Sequence, residues 1–150
     1  MDQQVNDSPE LDAVARAVVR GTCRMFDHMG FGTLTEFRLP YGRRVDVIAL
    51  GDDGAFLIAE IKSSPADFRA DRKWQEYLPF CEGFYFAVPS GFPHEILPPD
   101  CGLIVADAYE AVIRRAAPAH PMSPLRKRRQ LLRFAQTASG RLHRLTDMRL

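Results

Sequence analysis

The most constraining feature of this chain is an apolar segment that runs directly into two charged residues. Residues 55–64 read AFLIAEIKSS, so five apolar positions precede Glu60 and Lys62. Such a run predicts a strand buried on both faces, at the centre of a sheet. Side chains alternate along a strand, so Glu60 and Lys62 point to the same side. Because burying unpaired charges is costly, the segment predicts a central strand that ends in a cluster of partnered charges.

The preceding segment supplies a second acid. Residues 43–50 read RRVDVIAL and predict another strand, and Asp52–Asp53–Gly54 predicts a tight hairpin turn between the two strands. This hairpin brings Asp46 near Glu60 across the strand pair. Two adjacent carboxylates repel each other, and a divalent cation relieves that repulsion. Asp46, Glu60 and the Ile61 carbonyl are the hard oxygen ligands that Mg²⁺ or Mn²⁺ prefers.

This combination of groups fits phosphodiester hydrolysis. That reaction requires neutralisation of charge on the phosphate, activation of a water and stabilisation of the leaving oxygen. Lys62 has two alternative roles: it positions or deprotonates the attacking water, or it steadies the phosphate charge. A simpler alternative is that Glu60 and Lys62 form an ion pair with each other.

The remaining hydrophobic patterns predict an α/β fold with a mixed central sheet. The predicted elements, in chain order, are a helix that starts at Pro9 after the N-cap Ser8 and ends near Gly30 or Gly32, strands at 33–39, 43–50 and 55–64, a helix at 65–81, a strand at 83–89, a short helix at 92–97 and a strand at 101–107. Residues 108–117 fit a strand or a helix equally well.

The C-terminal part of the chain is basic. The formal net charge of the whole chain is only +1, yet ten Lys or Arg residues and the single acid Asp147 lie between Arg114 and Leu150. We expect residues 1–8 to be disordered, residues 9–117 to form the main domain, residues 118–124 to be a linker, and residues 125–150 to form a basic helical tail. Such a tail favours contact with a polyanion.

The motif residues resemble those of a known nuclease superfamily. The segment R-R-V-D-V-I around Asp46, followed by I-A-E-I-K-S-S around Glu60 and Lys62, resembles the PD-(D/E)xK nuclease motif, with Val45 at the position of the motif proline. The run SSPADFRADRKWQEYLPFCEGFYFAVP resembles the MmcB-like DNA repair proteins within that superfamily. The resemblance implies a restriction-endonuclease-like α-β-β-β-α-β core over residues 9–117, with the basic helix added after it. It also implies Mg²⁺- or Mn²⁺-dependent endonuclease chemistry on DNA, in repair.

Several further residues are candidates for the site. Many members of the superfamily have another acid upstream of the motif Asp, which makes Glu36 a candidate metal ligand. Asp71 and Gln75 lie four residues apart in the predicted helix and are candidates to flank the site, and Lys73 and Tyr77 form a second pair at the same spacing. The candidate DNA contacts are Arg43, Arg44, Arg69, Lys73, Gln75, Arg126, Lys127, Arg128 and Arg129. The alternative for the tail is a solvated helix that docks through Leu131, Leu132 and Phe134.

Two other functions remain open at this point. One is a DNA-structure-binding module that keeps the nuclease fold without cleaving, and the other is an adaptor whose C-terminal helix docks a repair-protein partner. A homodimer is also possible. The absence of a membrane-length apolar run and of an export-signal pattern leads us to expect a cytoplasmic protein without a membrane partner.

Overall fold

Among residues 9–147, which the computed structural model describes, six strands form one mixed sheet whose spatial order follows the chain. The strands are β1 (Gly32–Arg38), β2 (Arg44–Leu50), β3 (Phe56–Ile61), β4 (Gly83–Val88), β5 (Gly102–Ala106) and β6 (Ala111–Arg115). β1, β2 and β3 form an antiparallel meander, β3, β4 and β5 are parallel, and β6 is antiparallel to β5. This arrangement confirms the predicted α/β fold with a mixed sheet.

Helices connect and cover these strands. They are α1 (Pro9–His28), α2 (Pro65–Ala70) and α3 (Pro124–Thr146), with short 3-10 helices at Pro40–Gly42, Trp74–Phe80 and His94–Ile96. The predicted α-β-β-β-α-β order and the basic C-terminal helix are therefore confirmed. Residues 111–115, which the sequence left between strand and helix, form the edge strand β6 with alternating exposure.

The sheet separates two hydrophobic clusters. On one face, α1 places Val18 and Phe26 against Val47, Ala59 and Ile104. The other face is covered by the Trp74–Phe80 segment and α3, whose apolar side chains pack on Phe37, Phe56 and Phe86. Glu60 and Lys62 have the same alternation as Phe56 and Ile58, so they lie at the end of this second face.

The structure corrects the predicted helix at 65–81. Ser64 caps α2 through a bond from the Asp67 amide, but α2 ends at Ala70, and the chain resumes as a 3-10 helix at Trp74. The Asp71 carboxylate accepts the Lys73 amide, a local bond that competes with helix continuation. Pro79 also lacks the N–H that an α-helix requires. The helical spacing assumed for Asp71 and Gln75 therefore does not hold.

Helix α3 packs onto the sheet through one stripe. Gln130 donates to the Phe80 carbonyl (2.7 Å), the Phe134 ring contacts Phe37 and Phe56, and Arg141 donates to the Thr35 carbonyl (2.7 Å). Leu132, predicted as a docking residue, is 60% exposed and is not part of this stripe.

The segment before α3 also contacts the sheet. In the predicted linker, Met122 is buried and the His120 amide donates to the Glu82 carbonyl. The predicted linker and tail therefore contribute to the same core as residues 9–117.

Two predictions about the ends of the chain lie outside the described residues: disorder at 1–8 and the last three residues of the tail, 148–150. Within residues 9–147, no helix combines the length and the apolar character needed to span a bilayer.

Candidate metal centre

Asp46 and Glu60 face each other at the point where the β2–β3 ladder ends. Val47 and Ala59 form the last ladder pair, and the next two residues outward are Asp46 and Glu60. The Asp46 amide donates to Oε1 of Glu60 (3.0 Å), and the Ile61 amide donates to Oδ2 of Asp46 (2.8 Å). Each carboxylate thus takes the place of a backbone acceptor, which holds both side chains in the sheet.

Burial makes this pair of carboxylates costly to ionise. Glu60 is only 6% exposed, and burial together with the charge of Asp46 raises its pKa well above the ordinary value. Burial also raises the pKa of Asp46, while the Ile61 amide and Lys62 oppose that rise. A site of this kind favours binding of a proton or of a cation between the two carboxylates.

Lys62 is paired with Asp71. Lys62 is 5% exposed, and its Nζ donates to Oδ2 of Asp71 (2.8 Å), so its ion pair is with Asp71 rather than with Glu60. Burial alone would raise the pKa of Asp71, but the bonds from Lys62 and from the Lys73 amide keep it below its ordinary value. Asp71 therefore holds the Lys62 ammonium beside the two carboxylates.

The donor set fits a hard divalent cation with two protein carboxylates. The amide and carbonyl of a strand residue point the same way, so the Ile61 carbonyl faces the β2 side, beyond the last ladder pair. Among residues 9–147, no group of three His, Cys, Asp or Glu side chains is placed to hold a metal ion. Asp46, Glu60 and the Ile61 carbonyl would therefore need water or phosphate oxygens to complete a shell of the Mg²⁺ type.

Glu36 is not brought to this pair. It is exposed on β1, in a left-handed backbone conformation (φ 47°), and its carbonyl accepts a bond from Arg141 (3.1 Å). In the β1–β2 ladder, Thr35 pairs with Val47 and Phe37 pairs with Val45, but Glu36 and Asp46, which lie between these two pairs, do not pair with each other. The structure therefore provides no support for Glu36 as a third ligand.

Tyr77, which the sequence offers together with Lys73 as a second pair of candidates four residues apart, lies close enough to the carboxylates to respond to their charge. Its hydroxyl donates to the Arg44 carbonyl (3.3 Å). Burial, followed by the charges of Glu60, Asp71 and Asp46, raises its pKa to about 12. Tyr77 therefore lies beside the candidate site, although it belongs to a 3-10 helix and not to the α-helix that the sequence predicted.

The predicted DNA contacts fall into two groups. Arg44, Arg69, Lys73, Gln75, Arg128 and Arg129 are exposed. Arg43 forms an ion pair with Glu76 (2.5 Å), Lys127 forms one with Glu82, and the Arg126 guanidinium lies over the Phe80 ring at 4.8 Å. Arg43 and Lys127 are therefore partly neutralised within the protein, whereas the exposed group is open to a phosphate backbone.

Comparisons with known proteins agree with this architecture. A family model described as "DNA repair protein MmcB-like" matches residues 3–149. A solved structure of a protein of unknown function from Silicibacter pomeroyi is similar, with 43% identity, a TM-score of 0.86, and coverage of 89% of this chain and 91% of that chain. No match was found among proteins with curated descriptions.

Proposed function

The chain belongs to the MmcB-like family of DNA repair proteins, and we propose that it serves repair as a metal-dependent endonuclease, hydrolysing DNA phosphodiester bonds. The observation that carries this proposal is the Asp46–Glu60 pair, a half-buried and a buried carboxylate held against each other by reciprocal amide bonds. Placing a buried acid directly against a second, half-buried acid lowers stability, and binding a cation or a proton between them offsets that cost.

The oxygen donors fit Mg²⁺ or Mn²⁺. When bound, the ion supplies charge neutralisation for the phosphate and lowers the pKa of water. Asp46, Glu60 and the Ile61 carbonyl would hold it. The two amide bonds fix the carboxylates before the ion arrives, so little side-chain ordering is left to occur on binding.

Lys62 contributes a positive charge on the same side of the sheet. Its ammonium neutralises part of the negative charge of the pair and orients a phosphate oxygen or a water through its remaining N–H donors. Asp71 holds the ammonium in place without removing its charge. Lys62 therefore acts on the substrate, whereas Asp71 acts through Lys62.

The exposed arginines supply the sequence-independent part of DNA binding. Arg44 is the first residue of β2, two residues before Asp46, and Arg128 and Arg129 lie on α3. Phosphate contacts of this kind position DNA and make its affinity depend on salt.

The test is cleavage of duplex, nicked, branched and single-stranded DNA with Mg²⁺ or Mn²⁺. We expect metal-dependent products from the wild type and a loss of at least about 100-fold in Glu60→Gln, the scale of losing a main electrostatic group of a site. Glu95→Gln, a change at an exposed glutamate outside the site, is the matched control and should cleave normally. Equal cleavage by Glu60→Gln and the wild type would refute the proposal.

A second candidate is a DNA-binding module that does not cleave. The observation that favours it is the Lys62–Asp71 ion pair, together with the absence of a third acidic ligand among residues 9–147. For this candidate, Mn²⁺ would not bind, no metal would support turnover, and Glu60→Gln would bind DNA as the wild type does. Calorimetric titration of Mn²⁺ into the wild type and into Glu60→Gln separates the two candidate functions.

A further inference from the structure

A groove lies between α3 and the turn that joins β1 to β2. It has a volume of about 390 Å³, within the range of pockets that hold small ligands. Its floor is apolar and includes Phe37, Leu39 and Phe80, and its walls carry Tyr41 on one side and arginines of α3 on the other. The groove is on the same sheet face as Glu60, because that face is the one covered by Phe80 and α3.

Tyr41 is exposed in a way that local structure does not explain. Its side chain is 93% exposed, and its backbone has φ 72° and ψ 19°, a left-handed conformation. A bulky residue costs on the order of 1–2 kcal/mol in this conformation, whereas Gly or Asn adopts it readily. The protein thus bears backbone strain in order to present an aromatic ring to solvent at the edge of the groove.

The opposite wall is cationic. Arg126, Arg129 and Arg133 are spaced three and four residues apart, so they share one stripe of α3, and all three line the groove. Among residues 9–147, no acidic side chain lines the groove with them. A groove with one exposed ring, an apolar floor and a row of arginines complements a ligand that combines a flat aromatic group with negative charge.

Gln130 adds a second polar feature. It lines the groove and is 5% exposed, and its Nε2 donates to the Phe80 carbonyl. Within the described part of the chain, its Oε1 has no hydrogen-bond partner. Buried acceptors are rarely left unpaired, so one side chain of the groove wall has an incomplete set of hydrogen bonds.

We infer that this groove binds an unpaired nucleotide of single-stranded DNA, with the base stacked on Tyr41 and the flanking phosphates on Arg126, Arg129 and Arg133. Every base offers a flat face to an aromatic ring, whereas bases within a duplex are already stacked on each other. The inference rests on the proposed function and deepens it, since it names DNA with an unpaired stretch as the substrate class.

The groove is within reach of the carboxylates. Tyr41 precedes Asp46 by five residues, which span at most about 18 Å of chain. The Tyr77 hydroxyl holds the Arg44 carbonyl between them. A DNA strand with one base stacked on Tyr41 can therefore present a phosphate, a few nucleotides farther along, to the Asp46–Glu60 pair.

The experiment measures binding by fluorescence anisotropy in EDTA, which prevents cleavage. The ligands are an oligothymidine, an abasic oligonucleotide of the same length and charge, and a duplex. We expect the wild type to bind oligothymidine about 5- to 100-fold more tightly than the abasic strand, the range for loss of one base–aromatic stack. Tyr41→Asn should lose this preference and leave duplex binding unchanged, while Tyr41→Phe should retain it.

The controls distinguish the effect of the Tyr41 ring on binding from effects on folding and from the effect of the arginine charges. Asn favours the backbone conformation of residue 41, so Tyr41→Asn should unfold at a temperature no lower than the wild type. Arg129→Gln should weaken binding of both single strands equally and reduce the slope of log affinity against log salt by about 0.7. A poly-glutamate peptide of matched charge should compete poorly with oligothymidine.

Three results would overturn the inference: no preference of the wild type for bases over abasic sites, an unchanged preference in Tyr41→Asn, or equal competition by poly-glutamate. Cleavage is scored separately with Mn²⁺. Tyr41-dependent binding without any cleavage would overturn the proposed nuclease and leave the groove standing. Cleavage that requires Glu60 but binding that ignores Tyr41 would overturn the groove alone.

Discussion

At the scale of single residues, the Asp46–Glu60 pair, the proposed metal site, carries a stability cost. In the folded protein the pKa of Glu60 lies well above its ordinary value of 4.5, because of burial and the neighbouring Asp46. The Glu60 carboxylate therefore binds a proton more tightly in the folded state than in the unfolded chain. By linkage, the metal-free protein loses stability as pH rises from about 4.5 through the raised pKa of Glu60.

Glu60→Gln should remove this pH dependence. The amide oxygen of the new side chain can still accept the Asp46 N–H, while position 60 no longer buries a charge. In EDTA at pH 8 we expect the Tm to rise by about 2–4 °C, the shift that ~1 kcal/mol produces in a domain of this size. Thermal unfolding between pH 5 and pH 8 checks this, with Glu95→Gln as the control. Added Mn²⁺ should raise the Tm of the wild type and leave Glu60→Gln unchanged; a lower Tm for Glu60→Gln in EDTA would contradict the argument.

Asp71 should be a positioning residue for Lys62. Asp71→Asn removes the anion that is bonded to a buried ammonium, so we expect the free energy of unfolding to fall by about 2 kcal/mol. This value is below the range for a fully buried ion pair, because the carboxylates of Asp46 and Glu60 remain near Lys62. Urea unfolding of Asp71→Asn, Lys62→Met and the double variant measures the coupling directly. Because the pKa of Asp71 is lowered, its contribution is present above about pH 4 and is lost as pH falls through the lowered value.

The matching control is Asp52→Asn, at an exposed acid of the β2–β3 turn. Its unfolding free energy should stay within about 0.5 kcal/mol of the wild type. If the double variant loses as much as the sum of the two single variants, the two side chains do not interact energetically.

At the scale of elements, two helical glycines illustrate how each helix meets its neighbours. A Cβ added at Gly21 of α1 would lie 1.9 Å from the Asp107 carbonyl oxygen and 2.8 Å from that of Glu110, both in the β5–β6 connection. A Cβ at Gly140 of α3 would meet only the flexible end of Arg144, at 3.4 Å. The absence of a side chain at Gly21 therefore allows α1 to lie close to the β5–β6 connection. At Gly140, by contrast, an alanine would fit without displacing the backbone.

The two alanine substitutions should change stability in opposite directions. Gly21→Ala must displace α1 from the β5–β6 connection, which we expect to cost about 3 kcal/mol. Gly140→Ala should stabilise the protein by about 0.5–1 kcal/mol through helix propensity. Chemical unfolding of both variants checks this prediction, and a stable Gly21→Ala protein would mean that α1 and the connection are less closely packed than described.

At the scale of the whole molecule, α3 is the layer that closes one face of the sheet. Its stripe of Lys127, Gln130 and Phe134 reaches the sheet side, while Arg126 and Arg129 line the groove. The same helix thus stabilises the fold and carries the positive charge. This is why the two sequence interpretations of the tail, a docked helix and a DNA-binding arm, are compatible with each other.

Phe134→Ala should therefore destabilise the entire domain and not only α3. Its ring lies 6.0 Å from the rings of both Phe37 and Phe56, and we expect a loss of about 3 kcal/mol. Leu132→Ala, two residues away and 60% exposed, is the matched control and should change stability by less than about 0.5 kcal/mol. A non-coincident loss of helical and tertiary signals during unfolding of Phe134→Ala would indicate that α3 is a separate unit.

Much of the fold and the centre of the site could be predicted from the sequence because they depend on local rules. The short turn at Asp52–Asp53–Gly54 joins β2 to β3 and sets their register, and the apolar run before Glu60 makes β3 central. Register and alternation together place Asp46 opposite Glu60. The family resemblance came from the neighbouring run at residues 63–89, and the order of elements came from hydrophobic patterns along the chain.

Only the tertiary structure decided which residues from distant parts of the chain meet. The break at Asp71 turns that side chain towards Lys62, although helical periodicity predicted a continuous helix. Tyr41 and Arg126 line one groove although 85 residues separate them (126 − 41). Periodicity reports which face of an element is buried, but not which partner covers it, since that depends on packing the whole chain around one sheet. The hairpin pair was therefore a property of local sequence, whereas the partner of Lys62 and the arginine groove are properties of the assembled core.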